Sequence, residues 1–313
     1  MSDKDDTQHS TYKTRIDAAE MESFLKGKYG DAVAGVTFLR GGETSQAFSF
    51  ENAGEKLLIR VNKHNSNGFE KDRYVHGHYS SDRIPTADIL EIGKMPQGNF
   101  YAISKMIEGQ TVNSLSSEAL RKIVPISFKM LDEVHSLSLE GTKGYGYWNA
   151  KGEGEHSSWK EVIVSMADRY ERWDKLFATT FMERSVHAEL SRQIKDLVVL
   201  CPEERYLMHG DYGFDNMISD GERIVGVIDW AESRYGDFLY DAAWLSFWPS
   251  DFDFKAALDT HYAGRSIPHY EERIRCYHAY IALNSLSFYA YSNQRDKYDW
   301  AKGRIAKLLG ITL

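Results

Sequence analysis

Residues 207–230 read LMHGDYGFDNMISDGERIVGVIDW, and the reactive side chains of the sequence are concentrated there. His209-Gly210-Asp211 is followed by Asn216, then by a turn at Asp220-Gly221, then by the apolar run Val225 to Ile228, which ends on Asp229. Short apolar pieces between polar turns read as strands, so Asp211, Asn216 and Asp229 fall at strand ends. Phosphoryl transfer needs a carboxylate that orients or accepts the proton of an acceptor hydroxyl. It also needs an amide and a second carboxylate to hold Mg²⁺ against phosphates. H-x-D-x4-N followed by an aspartate behind an apolar strand supplies that set. The alternative is a solvent-exposed turn in which Asp and Asn only cap the backbone, and it leaves Asp229 without a purpose.

Upstream of this stretch the hydrophobic period changes after a first helix. Met21, Phe24 and Leu25 give Ala18 to Tyr29 helical spacing. Val36 to Leu39, Ala47 to Phe50 and Lys56 to Val61 are short apolar or alternating runs, separated by Gly41-Gly42 and Asn52-Ala53-Gly54. They read as an antiparallel meander. Phe69 to Tyr79 reads as a helix, Ile89 to Gly93 and Asn99 to Met106 as strands, and Glu108-Gly109 as a turn. Beyond Ser116 helical spacing dominates: Glu118 to His135, Trp159 to Phe177, Val186 to Leu200, Asp253 to Tyr262 and Tyr270 to Asn293. Gly141 to Ser158, rich in Gly and Tyr, reads as one long loop. Strands first and helices after predict an α+β chain of two lobes. The expected division is a lobe over 1–104 with 1–14 disordered, a hinge over 105–109, and a mostly helical lobe over 110–313.

With 313 residues, 42% of them apolar, the chain can fill a large core. Its 38 Lys and Arg against 46 Asp and Glu leave a net charge of −8. That sign disfavours nucleic acid and anionic membrane as partners and suits a cationic small molecule. Cys201 and Cys276 are too few and too far apart for a zinc ribbon or a disulfide framework and read as core residues. The polar start MSDKDDTQHS has no signal-peptide character, so a cytoplasmic protein is expected.

HGDYGFDN and VIDWAESRYGD resemble the catalytic loop and the metal-binding strand of the aminoglycoside phosphotransferases, which share the protein-kinase-like fold. Within that family the likeness is greatest to the hygromycin B phosphotransferases and spans roughly residues 20 to 305. It is carried by Glu43 to Phe50, Arg60-Val61-Asn62, Gly68 to Val75, Gly144-Tyr-Gly146, Gly152, Gly154, Ser158-Trp159 and Cys201-Pro202-Glu203. The resemblance implies a bilobal kinase-like fold, ATP (with GTP left open) and Mg²⁺ as cofactors, and transfer of the γ-phosphoryl group to a hydroxyl of hygromycin B or a related aminoglycoside, causing antibiotic resistance. It implies Asp211 as catalytic base, Asn216 and Asp229 as metal ligands, and His209 as an organiser of the loop. Other acceptors, or a catalytically silent nucleotide-binding module, are the competing readings.

In the first lobe the segment Leu39 to Phe48 lies where a flap over phosphates belongs, although Gly41-Gly42 is not a G-x-G-x-x-G loop. As a flap it would offer backbone N–H groups near Glu43 to Ser45 and the hydroxyls of Thr44 and Ser45. Where kinases place a lysine, this chain has Arg60, either a surface residue or a phosphate clamp. A guanidinium can grip phosphate bidentately, and the clamp is the preferred reading. Its helix partner is Glu70 or Asp72, and Asp72 fits the resembling motif. Backbone groups of Lys105 and Ile107 are expected at the adenine edge. Glu232, Asp237, Asp241 and Trp248, with Tyr235, Tyr240 and Trp244, could form an acidic, aromatic-walled acceptor site. Against this, Asp241, Trp244, Leu245 and Trp248 have the spacing of a core-facing helix, and Asp237 could instead tie the catalytic loop.

Overall fold

The computed structural model describes residues 14–39, 44–248 and 252–313. The flap turn Gly41-Gly42, Glu43 beside it and the expected disordered start through residue 13 lie outside the described residues. Thr14, counted with that start, is buried, and its hydroxyl donates to the Thr44 carbonyl at 2.7 Å.

Helix α1 (Ala18–Tyr29) starts at Asp17, whose carboxylate accepts from the Glu20 N–H at 2.8 Å, and buries Met21 and Leu25. Strands β1 (Val33–Phe38), β2 (Ser45–Asn52) and β3 (Glu55–Asn62) form the meander read from the sequence. The β2–β3 turn at Ala53-Gly54 has positive φ at both residues, 50° and 84°, as a tight hairpin of this hand requires. Helix α2 (Asn67–Tyr79), β4 (Ile89–Lys94) and β5 (Phe100–Lys105) follow. The five strands make an antiparallel sheet in the order β1-β2-β3-β5-β4. Alternation in β3 buries Leu57, Ile59 and Val61 in a core with Met21, Leu25, Phe48, Phe50 and Ile103. Arg60 therefore points to the other face, where its cross-strand neighbours are Ala47 and Ala102, two small side chains that leave room for a guanidinium. The short β6 (Gln110–Thr111) leads to α3 (Ser117–His135).

The segment expected as one loop contains the hairpin β7 (Tyr145–Trp148) and β8 (Gly154–His156). Two glycines permit it: a Cβ on Gly144 would lie 2.6 Å from the Gly154 carbonyl oxygen. Strands of four and three residues are too short to show a period. The single helix expected over Trp159 to Phe177 is two, α4 (Trp159–Asp168) and α5 (Tyr170–Thr179), broken at Arg169 by ψ 68°. Then come α6 (Arg184–Leu197), β9 (Tyr206–Met208), β10 (Met217–Ser219), β11 (Ile224–Val227) and β12 (Arg234–Gly236). Helices α7 (Leu239–Phe247), α8 (Phe254–Tyr262), α9 (Tyr270–Tyr291) and α10 (Arg295–Leu309) complete the chain. The α+β class is as expected.

By internal contacts the chain forms two compact units. The sheet unit comprises the described residues up to Val134 and Gly213–Ser233. In it β11-β10-β6 form a second, three-stranded sheet. The helical unit comprises His135–Tyr212 and Arg234–Leu313. Its sheet has the order β8-β7-β12-β9, and its central helix α9 buries Cys276, Tyr277, Ile281 and Leu286. Cys201 and Cys276 are both free and buried, as core residues should be. Among the described residues no helix is long and apolar enough to cross a membrane.

Candidate active site

In the sheet unit, the hairpin of β10 and β11 fixes two of the candidate residues. Met217 pairs with Val227, and one step further the Ile228 N–H donates to the Asn216 carbonyl at 3.0 Å. Asn216 and Asp229 thus stand at the same open end of one hairpin. Asn216 is buried and Asp229 half-buried. At Asp229 the backbone turns left-handed, φ 62° and ψ 63°, a sparsely populated conformation for a residue with a side chain. Asp229 leaves the strand there and enters the turn Trp230–Glu232.

Arg60 reaches this place from β3. It forms an ion pair with Asp72 of α2, and its guanidinium lies 5.2 Å from the Phe69 ring centroid. The other oxygen of Asp72 accepts from the Trp230 N–H at 2.8 Å. Glu70, the other candidate partner, pairs with Arg73 along the helix surface. Burial pushes the Asp229 carboxyl up to about 6; Arg60 opposes this, while Asp72 and Glu232 add to it. Burial works against the Arg60 charge, yet Asp72 and then Asp229 outweigh it and raise its pKa. Three carboxylates against the Arg60 guanidinium and the buried Lys71 ammonium leave an excess of one negative charge at hard oxygen donors, the donor chemistry that suits Mg²⁺. Among the described residues no three His, Cys, Asp or Glu side chains form a ready-made cage.

Thr44 is exposed just before β2, and Ser45 opens that strand opposite Asn62. The Lys105 N–H is already committed to the Asp88 carbonyl at 3.1 Å, and its ammonium pairs with the Asp88 carboxylate at 2.8 Å. That N–H is therefore taken within the sheet. Ile107 lies in the loop after β5, with its side chain packed on Gly226, where a Cβ would meet Cδ1 at 2.6 Å.

In the helical unit, β9 delivers the loop expected to be catalytic. His209 is fully buried, and its Nδ1 accepts from the Asp211 N–H at 3.3 Å, so it orders the loop while Asp211 stays half-buried. Asp241, expected at the acceptor, is fully buried and holds this loop instead. Its two oxygens accept from the Gly210 N–H at 2.8 Å, the His209 N–H at 3.0 Å and His135 Nε2 at 3.2 Å. Asp237, the other residue expected at the acceptor, is fully buried too. It is forked by Arg273 of α9, accepts from the Tyr277 hydroxyl, and caps α7 through the Leu239 N–H at 3.1 Å. With no exposed surface, neither carboxylate is open to a ligand; the loop-tying role read for Asp237 belongs to Asp241. Tyr235 and Tyr240 are fully buried core residues. Trp248 is half-buried at the end of α7, edge-on to Trp244 at 5.5 Å and to Phe247 at 4.9 Å. His135 escapes sequence reading, because its partner is 106 residues away and a histidine ending a helix carries no local signal.

The phosphotransferase enzyme family (APH) matches residues 35–275 of the chain. Hygromycin-B 4-O-kinase of Escherichia coli is 32% identical over 300 residues, which cover 93% of this chain and 85% of that protein. A crystal structure of a thermostable mutant of aminoglycoside phosphotransferase APH(4)-Ia, a ternary complex with ADP and hygromycin B, superposes with a TM-score of 0.82 at 30% identity. It covers 92% of this chain and 97% of that one. The GDP complex of aminoglycoside 2'-phosphotransferase-IIIa shares the fold, with a TM-score of 0.68 at 14% identity over 94% of this chain and 99% of that one.

Proposed function

Because the chain belongs to the APH family of phosphotransferase enzymes, we propose that it moves the γ-phosphoryl group of ATP to a hydroxyl of hygromycin B or a closely related aminoglycoside and so inactivates the antibiotic. Asp211 takes the proton of the acceptor hydroxyl as its oxygen forms the new bond to the γ-phosphorus, while the bond to the β-phosphate oxygen breaks and ADP leaves. Asn216 and Asp229 would hold Mg²⁺, which when bound would supply neutralisation of phosphate charge. Arg60, oriented by Asp72, clamps the phosphates from β3, with Thr44 and Ser45 donating from the flap side. The Lys105 carbonyl and the Ile107 N–H read the adenine edge. Glu232 meets an ammonium group of the acceptor, and the exposed side of Trp248 an apolar sugar face.

In this reading residues 1–104 form the nucleotide lobe, 105–109 the hinge and 110–313 the helical lobe. The enzyme works in the cytoplasm, without nucleic acid or membrane as partner. The observation that carries the reading is the match over 93% of the chain to a kinase named for hygromycin B. ADP release with Mg·ATP tests it, across hygromycin B, other aminoglycosides, spectinomycin and choline, with Asp211→Asn as the control. Saturable turnover on hygromycin B that disappears in the variant is expected. Turnover confined to another acceptor would overturn the substrate, and nucleotide binding without turnover on any acceptor would overturn the activity.

A further inference from the structure

Lys71 stands next to Asp72 on α2 but is only 5% exposed, whereas Glu70 and Arg73 on either side pair at the surface. An ammonium group is costly to bury unless its protons are taken by acceptors. Here the Lys71 ammonium donates to the Ala231 carbonyl at 2.9 Å and to the Ser233 carbonyl at 2.8 Å. These carbonyls flank Glu232 in the turn that follows Asp229, and the turn itself is closed by the Ser233 N–H on the Trp230 carbonyl at 2.9 Å. Asp72 takes the Trp230 N–H of the same turn. Two consecutive side chains of opposite charge thus grip one short segment, the cation on carbonyls and the anion on an N–H. The contact is also close at Gly68, where a Cβ would come within 2.9 Å of the Ala231 Cβ.

We propose that Lys71 is a positioning residue for the metal-bound nucleotide: by holding the carbonyls on both sides of Glu232, it sets the direction of the Asp229 and Glu232 carboxylates. The turn has no ladder of its own to fix it, and at Asp229 the backbone occupies a conformation that its surroundings must maintain. Lys71→Met keeps the aliphatic stem, removes the donors, and leaves two carbonyls without their hydrogen bonds. The carboxylates then lose their fixed aim, while the adenine contacts stay untouched. The inference rests on Asp229 being a metal ligand.

Calorimetric titration of the full chain with ADP, in Mg²⁺ and separately in EDTA, tests it. In Lys71→Met, binding of ADP with Mg²⁺ is expected to weaken at least tenfold, and binding in EDTA to change less than twofold. Lys71→Arg, which retains two donors, is expected to stay within threefold of the wild type in both titrations. A folded Lys71→Met that keeps wild-type affinity with Mg²⁺, or loses equally in both titrations, overturns the inference. Where Lys71→Met gives no cooperative melt, a folded Lys71→Arg that loses tenfold equally in both titrations overturns it. A wild-type protein that binds ADP alike with and without Mg²⁺ overturns the metal assignment itself, and this inference with it. A Mg²⁺-dependent wild type beside an unaffected Lys71→Met overturns the inference alone.

Discussion

Asp241→Asn is the sharpest probe of how the catalytic loop is held. The aspartate is fully buried, with one oxygen on the Gly210 N–H and the other shared by the His209 N–H and His135 Nε2. An asparagine can keep only one of these oxygens. The less costly orientation keeps the shared one and turns an NH₂ toward the Gly210 N–H, so a charge-assisted hydrogen bond is lost and two buried donors face each other. Such a loss costs about 2–3 kcal/mol. Gly210 immediately precedes Asp211, so relief comes by moving the proposed base. If the whole amount appears in the transition state, kcat falls by roughly 30- to 150-fold. KM for ATP should change less than threefold, because the Asp241 oxygens hold Gly210, His209 and His135, whereas Arg60 is held by Asp72. Coupled ADP-release kinetics below the melting temperature, with a parallel thermal melt, provide the assay. A variant that melts earlier but keeps kcat within twofold would refute the argument, since Asp241 would then support the fold without aiming the base.

Three further outcomes follow from other groups. His278 is buried beneath α7, with Nε2 at 3.1 Å from the Ala243 carbonyl, and burial lowers its pKa to about 4. The unfolded chain therefore binds this proton first as pH falls below about 6.5, so stability should drop by about 2 kcal/mol between pH 7 and 5 and level off below pH 4. Urea unfolding at both pH values checks this, and His278→Gln should remove that part of the loss. Arg273→Met strands the buried Asp237 charge and should cost about 3–5 kcal/mol, with acceptor KM within twofold of wild type; a large rise in that KM would return Asp237 to the acceptor site. Arg60→Lys exchanges a planar fork for a single ammonium and should raise KM for ATP about tenfold, the loss of one hydrogen bond to a charged group. An unchanged KM would make Arg60 a partner of Asp72 and nothing more.

Most of the fold could be read directly because it is local. The helix Ala18–Tyr29 follows from its cap and its spacing, and β1, β2 and β3 from alternation and turn residues. The 207–230 stretch was legible for the same reason, since one hairpin sets both Asn216 and Asp229. What escaped was either short or remote. The β7–β8 hairpin depends on the close approach of Gly144 and Gly154, and the buried stripe of α10, Tyr298, Ala301, Ile305 and Leu309, is thin among charged residues. The His135–Asp241 contact joins residues that no local pattern relates.

The two acidic residues misread as acceptor ligands show what distinguishes a carboxylate for binding from one for building. Asp237 and Asp241 lie in the same aromatic stretch as Glu232 and are of the same chemical type, so composition cannot separate them. Burial can. A buried carboxylate must have its hydrogen bonds supplied by the protein: Asp237 takes four, from Arg273, Tyr277 and the Leu239 N–H, and Asp241 takes three, from two loop N–H groups and His135. A carboxylate that is to exchange water for an ammonium group or a hydroxyl proton must keep part of its surface open. Glu232 and Asp211 are half-buried and meet that condition. Partial exposure, rather than the density of acidic residues, is therefore the condition for contact with the proposed cationic acceptor. Glu232 in the turn after Asp229 and Asp211 meet it, and Asp237 and Asp241 do not.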